Sequence, residues 1–431
     1  MPEDYFPTLK RFIDQALLQS PQVIYQELNT EVAEAQKLYI GVAPLLPNLH
    51  GSAYGGETVQ STQGANAQVT RGTGVYYDLQ VNQPIFQWGA LKNGLLAQKI
   101  AVAISQRNYV TVYLQYAGQI RKQFLNLVAA KIALRNARFN LDLRKRGLDA
   151  AQQQLKAGMV TDAFVMGPQL DLDDAQLAVD TNEQSYNYGR RQLAREIGQT
   201  DIADELIPAE IPPPTFSLAA ASDLTADVLR TGARYTPEAQ LALLNIRNWK
   251  LQYEINKVNL LPKVSGQVDF NQSNTPQISN GQITQNITVN QTYYLQASWN
   301  IFDGFATRGR KQEALIRRRQ AERDLRAKTD ATEDAAQNAQ RMVELAWKQL
   351  DLTTRRNGIA QASLKAAEAD LAAHVGSEQA VAGLRANAFA FEYSLALVRT
   401  GFLSQWSDFV SLVGHDPAMN NLPARYVRPV P

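Results

Sequence analysis

The 431-residue chain carries 43 Lys and Arg against 41 Asp and Glu, a net charge of +2, so it presents neither a basic field for nucleic acid nor an acidic one for cationic ligands. Cysteine is absent, which excludes a disulfide framework, a thiolate metal site and a lipid-modified cysteine within the given chain. There is no run of about 18 apolar residues, so any contact with a membrane is made without a transmembrane helix. The start, Met1-Pro2-Glu3-Asp4-Tyr5, has neither the basic nor the apolar segment of a signal peptide. That fits a cytosolic protein, or one whose signal peptide is absent from the given chain.

In chain order, Phe6 to Leu38 carries helical spacing broken at Pro21, with Leu9, Phe12, Ile13, Ala16 and Leu17 on one face. The pattern predicts strands near 48–58 and 74–84, joined by a polar loop from Glu57 to Gly74. Val75, Tyr77, Leu79 and Val81 alternate there with Tyr76, Asp78, Gln80 and Asn82, the period of a strand with one apolar face. After Gln83-Pro84-Ile85-Phe86-Gln87-Trp88-Gly89 comes a long proline-free stretch in which Ile120, Leu127, Leu134, Leu141, Leu148 and Leu155 recur every seventh residue. That seam suits coiled-coil packing, on a helix about 95–100 Å long. A hairpin over 88–197 is expected, its tip near 157–163, with Leu172, Val179, Tyr186 and Leu193 on the returning helix. Gly167-Pro168 is expected to bend that helix or delay its start.

Residues 200–222, with Pro208 and Pro212-Pro213-Pro214, read as an extended linker between two structural repeats, 1–199 and 223–415. Leu261-Pro262 echoes Leu46-Pro47, and Ile301-Phe302-Asp303-Gly304 echoes Ile85-Phe86-Gln87-Trp88-Gly89. Strands are predicted near 263–272 and 290–301 around a second polar loop, Gln272 to Asn290. A second hairpin over 305–413 has its tip near 374–380, with Gly376 as the breaker, and 416–431 form a tail. The spacing of about half the chain marks a tandem duplication.

Four strands of bilayer-crossing length, each with one apolar face, permit a transmembrane sheet. Alternation alone also permits a small soluble sheet capping a coiled coil, the reading in which the chain is a soluble or peripheral scaffold without a pore. Three features favour the membrane: polar loops at one end only, a consistent difference between faces, and Tyr76, Tyr77, Tyr293, Tyr294 and Trp299 as a candidate aromatic girdle. A sheet of this width leaves bare edges that lipid does not tolerate, so it must close with strands from other copies. Small barrels are filled by side chains, whereas wider ones keep a lumen.

The duplicated order, the strand ends at Pro84-Ile85-Phe86 and Asn300-Ile301-Phe302-Asp303-Gly304, and the tips Ala157-Gly158-Met159-Val160-Thr161 and Val375-Gly376-Ser377 together resemble the TolC-type outer-membrane efflux proteins over nearly the whole chain. The resemblance implies a mainly α fold with transmembrane β structure, in which long helical hairpins form a tunnel and each chain contributes its strands to a trimeric, twelve-stranded barrel. It further implies a homotrimer in the outer membrane of a Gram-negative bacterium, in contact with outer-membrane lipid and with a long periplasmic portion. Such proteins export drugs or proteins with a periplasmic adaptor and an inner-membrane pump.

The resemblance implies adaptor contact at Gly158, Met159, Val160, Thr161, Val375, Gly376 and Ser377, which as small residues are also simple turn formers. Relatives close their periplasmic entrance with aspartate rings and a polar bridge. The matching positions here, Ala382 and Arg385 for the rings and Phe164, Ala373 and Glu378 for the bridge, lack the expected side chains. Asp162, His374, Glu378 and Arg385 are the candidates for a different closing network, against closure by helix packing alone. His50, His374 and His415 fall at no metal-ligand spacing. No nucleophile elbow, P-loop or dinucleotide fingerprint occurs, so no enzyme activity and no cofactor are expected.

Overall fold

The computed structural model describes residues 1–64, 68–231, 236–279 and 282–427. Its principal elements are α1 (Pro7–Gln19), α2 (Pro21–Gln36), β1 (Asn48–Thr62), β2 (Gln68–Phe86), α3 (Ala90–Lys156), α4 (Asp162–Glu196), α5 (Leu218–Thr231), α6 (Pro237–Lys257), β3 (Lys263–Ser279), β4 (Gln282–Ser298), α7 (Ala306–Ala372) and α8 (Glu378–Leu412). The last residues of the expected tail, 428–431, lie outside the described residues.

The duplication is visible in the backbone. α3 and α7 each have 67 residues, α4 and α8 each have 35, and each second copy begins 216 residues after the first. Left-handed backbone recurs at the same interval, at Trp88 and Gly304, Gly89 and Phe305, Gly158 and His374, and Gly198 and Gly414. Helix starts match too. Ser20 before Pro21 accepts the Val23 amide, and Thr236 before Pro237 accepts that of Ala239, each a side-chain cap ahead of a proline whose missing N–H is not needed there.

Both long helices stop the same way. The Met159 amide bonds the Gln154 carbonyl and the Gly158 amide that of Leu155, while Val375 and His374 repeat this on Asp370 and Leu371, a Schellman ending with Gly158 or His374 as the left-handed residue. The second breaker is therefore His374, φ 60°, and not Gly376. Gly376 is needed for a close approach instead, since a Cβ there would lie 3.1 Å from the Leu371 nitrogen. A left-handed non-glycine costs roughly 1 kcal/mol, so His374→Gly is expected to raise stability by about that amount, read as a higher thermal midpoint.

The chain forms two compact units. The first, Met1–Glu27 with Asn108–Gln240 and Ala327–Arg428, holds the large core. Ile120, Leu127 and Leu134 are buried in one cluster with Leu395, Phe402 and Phe409 of α8, and Leu148 is buried outside it, while Leu141 and Leu155 of the sevenfold seam are only partly buried. Phe124 meets Phe6 edge-on at 5.4 Å, and Trp347, Phe402 and Trp406 surround Phe216. The stretch 200–222 is not a loose linker. Ile202, Ile207 and Ile211 are buried, the Lys131 ammonium bonds the Asp204 and Ile207 carbonyls, and α5 already begins at Leu218. Proline keeps the backbone extended, while isoleucine burial fixes it to the core. The returning helix α4 starts at Asp162 and runs through Pro168 without delay. The proline sits in its second turn, where only the Phe164 carbonyl loses an intrahelical partner.

The second unit, Leu28–Arg107 with Leu241–Arg326, contains the sheet, in which β1, β2, β3 and β4 pair antiparallel in sequence order. The central pair β2–β3 is joined only from Tyr77 opposite Gln272 to Phe86 opposite Val264, with a bulge between Pro84 and Phe86. Beyond it, β1–β2 and β3–β4 continue as separate ribbons, paired as far as Thr62 with Gln68 and Ser279 with Gln282. The polar stretches expected as loops, Glu57 to Gly74 and Gln272 to Asn290, are therefore mostly strand; 65–67 and 280–281 lie outside the described residues. Val69 and Val75 in the first ribbon and Ile287 and Val289 in the second keep the parity of the apolar face, but the Thr, Gln and Asn around them dilute the stripe, and ladder hydrogen bonds define these stretches.

Candidate functional site

Paired residues share a face and neighbours along a strand alternate, so the register sorts the sheet. One face carries Leu49, Tyr77, Leu79, Val81, Val268, Phe270, Tyr293 and Leu295. The other carries His50, Tyr54, Tyr76, Asp78, Gln80, Asn82, Gln267, Asp269, Asn271 and Tyr294. The apolar face is uncovered: Tyr293 and Leu295 are each 72% exposed, and Leu49 64%. A sheet folded over an ordinary interior would bury that side.

Several side chains of the polar face bond one another laterally. Tyr294 donates its hydroxyl to Gln267, whose amide donates to Gln296. The Asn290 amide reaches the Asn271 side chain at 3.1 Å, and Tyr54 stacks on Tyr76 at 4.8 Å. These cross-strand bonds suit a wet wall. They also divide the five aromatic residues expected as one girdle. Tyr77 and Tyr293 stand on the apolar face, but Tyr76 and Tyr294 belong to the polar one, so a lipid-facing belt does not include them. Trp299 lies past the end of β4, donating its indole N–H to the Leu260 carbonyl at 2.9 Å.

Both outer strands, β1 and β4, have one partner only. The rows of amides and carbonyls along their free edges demand another strand if that face meets lipid. Among the described residues, no helix is long and apolar enough to cross a membrane, and no cluster of three or more His, Cys, Asp or Glu could hold a metal ion.

At the hairpin tips, Met159 and Val375 are 76% and 83% exposed. Gly158, Val160 and Thr161 complete the first turn and Gly376 and Ser377 the second, Ser377 capping α8 through the Ala380 amide at 3.1 Å. Of the four candidate gate residues, Arg385 is tied across its own hairpin to Glu368. Nothing in the spacing singles out Glu368, one of several acids on α7. Asp162 and Glu378 lie in the first turns of α4 and α8, and His374 in the second tip; within the chain the structure does not join them to Arg385.

Residues 12–199 match the family described as outer membrane efflux protein, a span that coincides with the first repeat. The match covers 188 of the 431 residues, under half of the chain. Solved structures share its fold at low identity. The CmeC outer membrane channel of Campylobacter jejuni is 15% identical with a TM-score of 0.75, over 97% of this chain and 89% of that one. The outer membrane protein VceC of Vibrio cholerae is 14% identical with a TM-score of 0.73, over 96% and 98%. The open state of the MtrE outer membrane channel of Neisseria gonorrhoeae is 16% identical with a TM-score of 0.69, over 95% and 90%. No curated protein matches the chain in sequence.

Proposed function

We propose that three copies close the sheet into one twelve-stranded barrel in the outer membrane of a Gram-negative bacterium, and that their hairpins continue the lumen as a periplasmic tunnel. Small toxic molecules or proteins leave through it, delivered by a periplasmic adaptor and an inner-membrane pump. The observation that carries this reading is the sheet itself. It is four-stranded over Tyr77–Phe86 and Val264–Gln272, close to the roughly 9–11 residues that cross a bilayer when tilted, and over that stretch one face is mainly apolar and left partly to fully exposed while the other is polar.

The helices add a second support for self-assembly. Besides its buried seam, α7 carries Leu345, Leu352 and Ile359 in sevens, each at least 50% exposed, and α4 carries Leu170 and Leu177 in the same way. Apolar seams left bare in one chain suit coiled-coil packing against the next. Two copies would fill a barrel with side chains, whereas a third opens a lumen. The tips, with Met159 and Val375 outermost, form the adaptor's docking surface.

At the tunnel entrance, Asp162, His374, Glu378 and Arg385 form the closing network, with the Arg385–Glu368 pair holding the second hairpin in its closed position. Single-channel recording in planar bilayers tests the reading. The purified protein is expected to conduct as a trimer, and Arg385→Ala to raise its conductance. Absence of conductance sinks the channel reading, and unchanged conductance in the variant removes Arg385 from the gate.

A further inference from the structure

At each of the two corners where a strand feeds a long helix, the chain places an aromatic residue in a conformation that glycine would adopt without strain. Trp88 (φ 51°) precedes Gly89 in the first, and Phe305 (φ 67°) follows Gly304 in the second. A bulky side chain in left-handed backbone is a genuine outlier, and such strain collects where a side chain has work outside its own packing. Trp88 donates its indole N–H to the Pro262 carbonyl at 2.7 Å, yet neither ring is tucked away, Trp88 being 47% and Phe305 65% exposed. Each meets a second exposed aromatic edge-on, Phe86 at 5.0 Å from Trp88 and Phe302 at 5.3 Å from Phe305.

A cation follows each pair at matching positions, Lys92 in the first turn of α3 and Arg308 in that of α7, both exposed, with Arg310 and Lys311 after the latter. Acids are scarce beside them. α3 has none before Asp142 and α7 none before Glu313, while Asp303 accepts from the Thr307 amide and hydroxyl at 2.8 and 2.6 Å and interacts electrostatically with Arg310. Among the described residues, Lys92, Arg308 and Lys311 have no anionic partner in the chain. The same aromatic pair followed by the same uncompensated charge occurs twice.

We propose that each corner is a docking site for an anionic glycerophospholipid of the leaflet on the helical side of the barrel. The aromatic pair lies at the acyl boundary, and Lys92, or Arg308 with Arg310 and Lys311, holds the phosphate. Exposed apolar rings select a lipid over a free anion, and the surplus of cations selects an anionic headgroup over a zwitterionic one. The inference rests on the barrel reading and adds to it a preference among lipids.

Native mass spectrometry of the full-length trimer, released from nanodiscs of phosphatidylcholine with and without phosphatidylglycerol, tests it. Wild type is expected to retain phosphatidylglycerol above its share of the disc. Lys92→Gln, Arg308→Gln, Arg310→Gln and Lys311→Gln combined are expected to erase that enrichment, by about fivefold for each charge lost. Phe305→Gly, which relieves strain without removing a side-chain hydrogen bond, is expected to leave the thermal midpoint in detergent equal or higher, yet to lower the lipid retained at its corner. Entry into discs with no preference for phosphatidylglycerol, or an undiminished preference in the charge variant, overturns the lipid site alone. Inorganic phosphate stripping the bound phosphatidylglycerol from wild type would make this a bare anion site and overturn it. A charge variant whose trimer weakens equally in both disc types would make it a contact between copies. Failure to enter either disc overturns the barrel reading and this inference together.

Discussion

Asp416→Ala is expected to destabilise the chain by about 3–5 kcal/mol, because it leaves a buried guanidinium without its counter-charge. Arg121, in the middle of α3, is 1% exposed. It bonds Asp416 through both terminal nitrogens, at 2.7 and 2.6 Å, and Glu3 through Nε at 2.7 Å. Burial pushes the guanidinium down, but the Asp416 and Glu3 carboxylates outweigh it and hold it above its ordinary value. The triad pins segments near both ends of the chain to the middle of α3, one of its two longest helices. Glu3→Ala, at a side chain 12% exposed, is expected to cost less. Arg121→Met combined with Glu3→Gln and Asp416→Asn is expected to recover most of the loss, since no buried charge then remains and the asparagine can still cap the Ala418 amide. Thermal midpoints of the three variants in detergent give the order.

Charge placed on the apolar face of the sheet should be nearly as damaging. Leu79 lies within the four-stranded stretch and is 42% exposed on that face, so Leu79→Arg is expected to cost roughly 2–4 kcal/mol at the bilayer midplane. Its neighbour Gln80 points to the polar face. Gln80→Arg should fold as well as wild type and instead lower the permeability ratio of cations to anions. Unfolding from liposomes and reversal potentials in planar bilayers separate the two. Equal losses of stability would mean that the faces are not one dry and one wet.

The sevenfold leucines of α3 and the period-two alternation over Val75–Val81 made both element types legible in the sequence, because each periodicity reports a buried or lipid-facing stripe. The repeat was equally plain, although the backbone fixes its interval through pairs such as Gly198 and Gly414 that no hydrophobic pattern marks. The rest carries a diluted signature. In the ribbon extensions of β1 to β4, Val69, Ile287 and Val289 keep the strand parity, but Thr, Gln and Asn outnumber them and read as loop. His374 is not legible as the helix breaker because Gly376, two residues on, is the residue type expected there.

Parity along the strands could have placed Tyr76 and Tyr294 on the wet side, but grouping aromatics by type hid it. The pairing of Arg385 with Glu368 depends on how two helices meet, 17 residues apart in sequence, and no local spacing encodes that. Likewise the isoleucines of 200–222 announce burial, yet the prolines among them read as linker. Local composition and tertiary contact disagree there, and contact prevails.

Closure of the sheet between copies is the claim on which the channel depends, and the absence of cysteine gives it a clean test. Cysteine pairs scanned along the apolar-face positions Leu49, Gly51 and Ala53 of β1 against Tyr293, Leu295 and Ala297 of β4, oxidised in native membranes, report whether these free edges meet. Joining edges in a closed ring of three predicts disulfide-linked dimers and trimers with no larger species. Monomers throughout, or a ladder that continues past the trimer, would contradict it.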